Sequence, residues 1–535
     1  LDPRRPVRPA RVGPNALIFE AARRYTVADG KSIPVRDRGD VGSQQVALLP
    51  PGTTVVCVEV AESAAAAAEA AAKPNIRISA PAGWISTDAL VDAPHRRSLA
   101  LSWEEFEVNH LRIAAGDQYN LIFPFSHEML QSMGADFLTE AFRAAGTLAP
   151  DNCVEALFNY QILDAGGAST SAAFDVVYRK ALPGLHTQLF VKMPAADPMR
   201  KFISSHMLYG ETQIAMRFAG LAMPTPVSQY YFGDYCRETS NGILVTERIG
   251  FGEAPIEPVL PKGLDQLLPD AAERYAVLTS LQARLVAFHK RGGLGFDTED
   301  IFPFRAKITG MPAVEIDPLI DFIEDKVGHL LPAKYLQPSF LSQLRQDGER
   351  ILDSLDMLSG YIGRDVDYTG FCHANLNLDN AWFWRTPTGN LQAGLIDWGS
   401  AGQMSLGQSF QGMLFASEPS KFLALRQALV SHFVTDYKQA SGVTLDGEKL
   451  LLHAKIASIT GLPLLVFAIG DALGRYSKAD LRGISNTNDP RLSTDPGLGT
   501  MLSMLGIFLE EWFDTQTPRA ICERILREVE NGEAH

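Results

Sequence analysis

The sequence predicts a mixed α/β (α+β) chain in which a small strand-rich domain precedes a larger body, strand-rich first and helical afterwards. Three observations predict it. Residues 30–95 carry strand-like runs, VALLPPGTTVVCVEV and NIRISAPAGWISTDALV, rich in Val, Ile and Thr and broken by the turn signals PPG and PAG. From Val154 three further strand-like runs, one helical run and two more strands follow in that order. After Glu253 the pattern is helical to the end, except for one hairpin over NAWFWRTPTGNLQAGLIDWG that turns at Thr388 and Gly389.

Taken in order, residues 1–29 form an Arg- and Pro-rich tail, LDPRRPVRPARVGPN at its start, with no acid after Asp2 in that run. It reads equally as the stub of a cleaved organelle transit peptide and as a basic tail. Residues 30–95 read as a small β-barrel with an Ala-rich insertion, AESAAAAAEAAAKP, in one hairpin. This segment resembles a bacterial-type Src-homology-three barrel, in which a late Gly-Trp (Gly83, Trp84) closes the core. The resemblance implies either a docking module for a protein partner or a spacer. Residues 96–153 read as a helical connector, with helix over 102–146 and Gly146 as its C-cap. Residues 154–252 hold EALFNYQILDAG, SAAFDVVYRK and HTQLFVKMP as strands, SSHMLYGETQIAMRFAG as helix, then VSQYYFGDY and GILVTERI as strands. Residues 253–535 are the helical part.

Composition narrows the function. At 535 residues the chain is long enough for several domains. Hydrophobic residues at 46% against 21% charged give a globular balance with a large core. Lys and Arg number 48 against 62 Asp and Glu, a net −14, which repels phosphate backbones and argues against nucleic acid as a partner. Five scattered cysteines without a CxxC pair argue against a disulfide scaffold or a zinc site, and place the chain in the cytoplasm or an organelle interior rather than outside the cell. The longest apolar run, Leu462 to Ile469, is too short to span a bilayer and reads as a buried helix.

The chemistry is concentrated in GFCHANLNLDNAWFW (370–384) followed by GLIDWG (394–399). These residues resemble the aminoglycoside- and choline-kinase family, whose His-Gly-Asp-x-x-x-x-Asn motif is followed by a hairpin and Ile-Asp-Trp. His373, Ala374, Asn375 and Asn380 align with the first motif, and Ile396, Asp397 and Trp398 with the second. The separation of 17 residues from Asn380 to Asp397 fits two strands and a turn. The resemblance covers about 120–535 and implies a two-lobed protein-kinase-like fold using ATP and Mg²⁺. It further implies that Lys192, ending the third strand, is held by Glu211 on the next helix. Gly166, Gly167 and Ser169 would belong to the loop over the phosphates. Glu247 and Ile249 would lie in the adenine-binding hinge, and Asn380 and Asp397 would hold the metal. His373 is in that family a structural hydrogen-bonder.

Asn375 occupies the place of the catalytic base. A side-chain amide does not take up a proton at neutral pH, although it can accept a hydrogen bond and aim a hydroxyl. Phosphoryl transfer depends mainly on positioning and charge stabilisation, so losing the base costs about 10²–10⁴-fold. Asp379 is the nearest spare carboxylate. Three readings stay open: a nucleotide-binding pseudokinase, an active ATP- and Mg²⁺-dependent small-molecule phosphotransferase, and a structural subunit of a larger assembly. An acceptor pocket is expected among residues 405–515, where Glu510 and Glu511 beside Trp512 read either as a site suited to an amine or quaternary ammonium group or as an ordinary amphipathic surface helix.

Overall fold

The computed structural model describes residues 101–535 except 164–168, 264, 297, 299–313, 487–488, 516 and 531–535; before residue 101 it describes seven strand segments. The chain divides into two units, Leu1–Leu99 and Ala100–His535.

In the first unit the strands are β1 (Arg24–Val27), β2 (Ile33–Arg36), β3 (Gln45–Leu49), β4 (Thr54–Ala61), β5 (Asn75–Ile78), β6 (Gly83–Ser86) and β7 (Leu90–Asp92). They pair antiparallel in the order β3-β2-β6-β5-β4-β1-β7. Gly83 and Trp84 stand in β6, where Trp84 pairs with Arg36 and Arg77. The Ala-rich insertion after β4 and the tail at 1–23 lie outside the described residues.

The second unit has two lobes. It begins with α1 (Trp103–Asn109) and α2 (His127–Ala144). The helix expected over 102–146 is therefore interrupted: residues 110–126 wrap around the buried Asp234, whose carboxylate accepts the backbone N–H groups of Gln118 and Tyr119, each at 3.0 Å. The carboxylate satisfies these amides in place of a helical ladder.

The small lobe is an antiparallel sheet ordered β11-β12-β10-β9-β8, made of β8 (Val154–Leu163), β9 (Ser169–Tyr178), β10 (Gln188–Pro194), β11 (Tyr230–Cys236) and β12 (Asn241–Glu247). Side chains alternate across a strand. Leu189, Val191 and Met193 of β10 are fully buried in a core with Phe137, Leu138 and Phe142 of α2. Lys192 consequently points to the opposite face, against α3 (Pro198–Phe218). Asp197 caps α3 by accepting the Arg200 N–H at 2.7 Å, and Pro198 opens its first turn.

The large lobe is built on α4 (Ala271–Lys290), whose Tyr275, Leu278, Leu281 and Leu285 are buried at helical spacing. It continues through α5 (Pro338–Arg364), β13 (Thr369–Cys372), the hairpin β14 (Ala381–Arg385) and β15 (Leu391–Leu395), and β16 (Gly402–Ser405), which pairs with β13. Helices α6 (Leu406–Leu414), α7 (Phe422–Ser441), α8 (Gly447–Thr460), α9 (Leu462–Arg475), α10 (Pro496–Thr515) and α11 (Thr517–Glu530) complete it. Helices α8 and α9 run on as one stretch, Gly447–Arg475, long and apolar enough to cross a membrane. Pro463 sits in the first turn of α9, where a missing N–H costs nothing, so the helical stretch extends beyond the apolar run Leu462–Ile469. Leu450, Ile456, Ile459, Leu462 and Ile469 of this stretch are all buried in the helical core.

Candidate functional site

Three charged side chains meet where the lobes face each other. Lys192 Nζ lies 2.7 Å from Glu211 Oε2 and 2.7 Å from Asp397 Oδ1. The lysine and glutamate side chains are 14% and 10% exposed, whereas Asp397 is 35% exposed and so is the one open to incoming groups. Burial works against the Lys192 ammonium, but Asp397 and Glu211 outweigh it and hold its pKa above the ordinary lysine value. Lys192 in turn holds the Asp397 carboxyl below its usual range. Burial pushes Glu211 upward against the pull of Lys192.

Asp397 is aimed by its backbone. Its φ and ψ of 60° and 59° are left-handed, uncommon away from glycine but better tolerated by Asp and Asn. The turn that follows, Trp398–Ser400, rests on α3: a Cβ at Gly399 would come within 3.2 Å of the Met207 carbonyl oxygen. Trp398 is buried edge-on against Phe218, with ring centroids 5.0 Å apart.

The second strand of the site is the loop after β13. His373 is fully buried, and its Nε2–H donates to the Ile396 carbonyl at 2.8 Å. It ties the loop to the Asp397 segment, a structural role. The Ile396 N–H donates to the Asn380 carbonyl at 3.0 Å, which sets Asn380 beside Asp397 across the hairpin. Asn380 Nδ2 donates to the Asn375 backbone carbonyl at 2.6 Å, a bond that leaves its Oδ1 uncommitted. Asn377 Nδ2 donates to Asn375 Oδ1 at 2.8 Å. Helix α6 presses on this loop through Gly412, where an added Cβ would lie 1.6 Å from the Ala374 carbonyl oxygen.

The remaining expected site residues are placed as follows. Gly166 and Gly167 lie outside the described residues. Ser169 starts β9 opposite Pro194, and Ser171 stands opposite Lys192, so the loop before β9 ends beside the lysine's strand. Glu247 ends β12; its N–H donates to the Gln229 carbonyl at 2.8 Å, and its carboxylate accepts the Gln229 N–H at 2.7 Å and pairs with His186 at 3.1 Å. Ile249 follows the strand, with its carbonyl taken by the Phe251 N–H at 2.9 Å.

Two residues near the site carry no motif. Lys262 lies 4.0 Å from the nearly buried Asp379 carboxylate, in a Pro-Lys-Gly turn between β12 and α4. Asp265, 1% exposed, accepts the Tyr275 hydroxyl at 2.5 Å, and burial pushes its carboxyl up to about 7. The Pro-Gly punctuation around Lys262 marks a turn but not its neighbours in space. The amine pocket expected at Glu510 and Glu511 is not formed by these carboxylates. Glu511 is 1% exposed and pairs at 2.5 Å with the equally buried Arg426, and Glu510 pairs with Lys334 at 3.2 Å. A carboxylate buried in a core needs such a counter-charge, and once paired it is not offered to a ligand.

No protein-family model and no curated protein matches this sequence. Among solved structures it is similar to a Ralstonia eutropha protein described as an aminoglycoside phosphotransferase, with 13% identity over 72% of this chain and 98% of that one and a TM-score of 0.36. A Plasmodium vivax ethanolamine kinase matches at 12% identity over 66% of this chain and 83% of the other, TM-score 0.36. The GDP complex of an aminoglycoside 2'-phosphotransferase matches at 14% identity over 65% and 93%, TM-score 0.35.

Proposed function

We propose that this chain binds a nucleoside triphosphate with Mg²⁺ in the cleft between its lobes and transfers the phosphoryl group weakly or not at all. The observation that carries the reading is the contact of Lys192 with both Glu211 and Asp397 at 2.7 Å. A lysine fixed between a helix glutamate and a loop aspartate suits α- and β-phosphates on one side and a cation on the other. The donor set fits magnesium: the amide oxygen of Asn380 and the open carboxylate of Asp397 are hard oxygen ligands on adjoining segments. Asn380 and Asp397 would hold the ion, which when bound supplies positive charge against the phosphate oxygens. Lys192 binds and orients the phosphates, and Glu211 holds its ammonium in place. No proton acceptor stands at 375, so an acceptor hydroxyl would keep its proton there.

Calorimetric titration of the chain with ATP, with and without Mg²⁺, tests the reading. Binding in the micromolar to millimolar range, strengthened by Mg²⁺, is expected; silence at millimolar ATP overturns it. In Asp397→Ala the affinity for ATP should become the same with Mg²⁺ as with a chelator. If Mg²⁺ still strengthened binding in that variant, Asp397 would not be a ligand.

At saturating Mg²⁺·ATP, Asn375→Asp is expected to raise phosphate release about 10²-fold or more, because a carboxylate there accepts the Asn377 N–H on one oxygen and leaves the other to take a proton. The rate of ADP formation measures it, and an unchanged rate would mean that position 375 does not face the acceptor.

A further inference from the structure

We propose that Asn375 is a hydrogen-bond donor to the terminal phosphate of the bound nucleotide, so that the site distinguishes nucleoside triphosphate from diphosphate. This rests on the nucleotide reading above and deepens it. The orientation of the amide carries the inference. Asn375 Oδ1 is turned toward Asn377, whose Nδ2 donates to it at 2.8 Å. Asn377 is itself 9% exposed and fixed in the loop interior, with the Asn380 N–H on its backbone carbonyl at 3.0 Å. The Asn375 backbone carbonyl is also taken, by Asn380 Nδ2 at 2.6 Å. What remains is the Asn375 NH₂ group. Its side chain is half-exposed, and among the described residues Nδ2 meets no acceptor.

An NH₂ group without a protein acceptor beside a phosphate site is complementary to a phosphate oxygen and not to a hydroxyl about to lose its proton. Residue 375 sits five positions before Asn380, and its backbone carbonyl accepts the Asn380 Nδ2 bond, so the two residues are neighbours in the loop that carries one ligand proposed for the cation. Lys262 adds positive charge nearby, 4.0 Å from the Asp379 carboxylate. A carboxylate at 375 would set like charges against each other; the amide replaces that repulsion with attraction. The substitution that removes the base thus supplies a contact that only the triphosphate can make.

The test is calorimetry on the full chain with Mg²⁺·ATP and Mg²⁺·ADP, for the natural sequence, Asn375→Ala and Asn375→Asp. A hydrogen bond to a charged group is worth about a tenfold difference or more in affinity. The natural chain should prefer ATP by at least about that factor. Asn375→Ala should bring the two nucleotides close to parity while ADP affinity stays within about twofold, which also reports that the variant is folded. Asn375→Asp should weaken ATP further, below ADP. Equal affinities in the natural chain, or a preference that survives Asn375→Ala, would overturn the inference while leaving the nucleotide site intact. Absence of binding for both nucleotides would instead remove the nucleotide reading itself.

Discussion

Lys192→Met is expected to destabilise the second unit by about 3 kcal/mol and to weaken Mg²⁺·ATP binding by at least about tenfold. Methionine keeps the length of the stem and deletes the ammonium. The loss falls on Glu211 and Asp397, which are then left facing each other without the cation that now touches both at 2.7 Å. Removing one partner of a buried ion pair costs about 3–5 kcal/mol, because the desolvated charge stays behind. The lower end applies here since Asp397 is a third exposed and regains water. The sign with pH follows from Glu211. Its carboxyl is already held above the ordinary value of 4.5 by burial, and loss of Lys192 removes the cation that opposes this. A carboxyl whose folded pKa is raised takes up a proton on folding, so stability falls as pH rises from the ordinary glutamate value through the folded one. The variant should therefore recover stability as pH is lowered toward that ordinary value. Urea unfolding near pH 8 and near pH 5.5 measures both effects. A loss under about 1 kcal/mol, or the same loss at both values, would contradict the argument from buried charge.

Gly412→Ala is the second large effect. The added Cβ would lie 1.6 Å from the Ala374 carbonyl oxygen and 2.7 Å from its carbon, both backbone atoms. No rotamer relieves a clash with backbone, so α6 or the 373–380 loop must shift by more than an ångström. Overpacking of this kind costs about 3 kcal/mol or more, and the displaced loop carries Asn375, Asn377 and Asn380. Loss of nucleotide binding should accompany the drop in melting temperature. Gly470→Ala in α9 is the control, since its Cβ meets nothing within 4 Å. There alanine should stabilise, by up to about 1 kcal/mol from helix propensity. If the two variants behaved alike, close approach at 412 would not matter.

The parts of the site expected from the sequence came from the family resemblance, and local spacing accounts for how the chain brings them together. Asn380 and Asp397 come together because two strands and a turn must return the chain to its start, and the hairpin β14–β15 does that. Lys192 faces Glu211 because a period of two points it away from the Leu189–Val191–Met193 core. What local spacing does not encode is pairing across distance. Arg426 meets Glu511 over 85 residues, and Asp379 meets Lys262 over more than a hundred; no period or turn signal joins them. The orientation of the Asn375 amide was likewise illegible, because Asn377, which bonds to it, fills an unspecified position of the motif. Reading 102–146 as helix failed for the same reason: Asp234, far along the chain, takes the amides of 118 and 119.

The Arg426–Glu511 pair also bears on how the large lobe can be divided. Arg426 belongs to α7 and Glu511 to α10, and neither side chain is more than 3% exposed. A shortened protein ending anywhere before Glu511 would strand a guanidinium in a dry interior without its counter-charge. The C-terminal helices are therefore no detachable appendage. They should melt with the helices that carry the cleft, and proteolytic trimming that reaches α10 should take the whole lobe down with it.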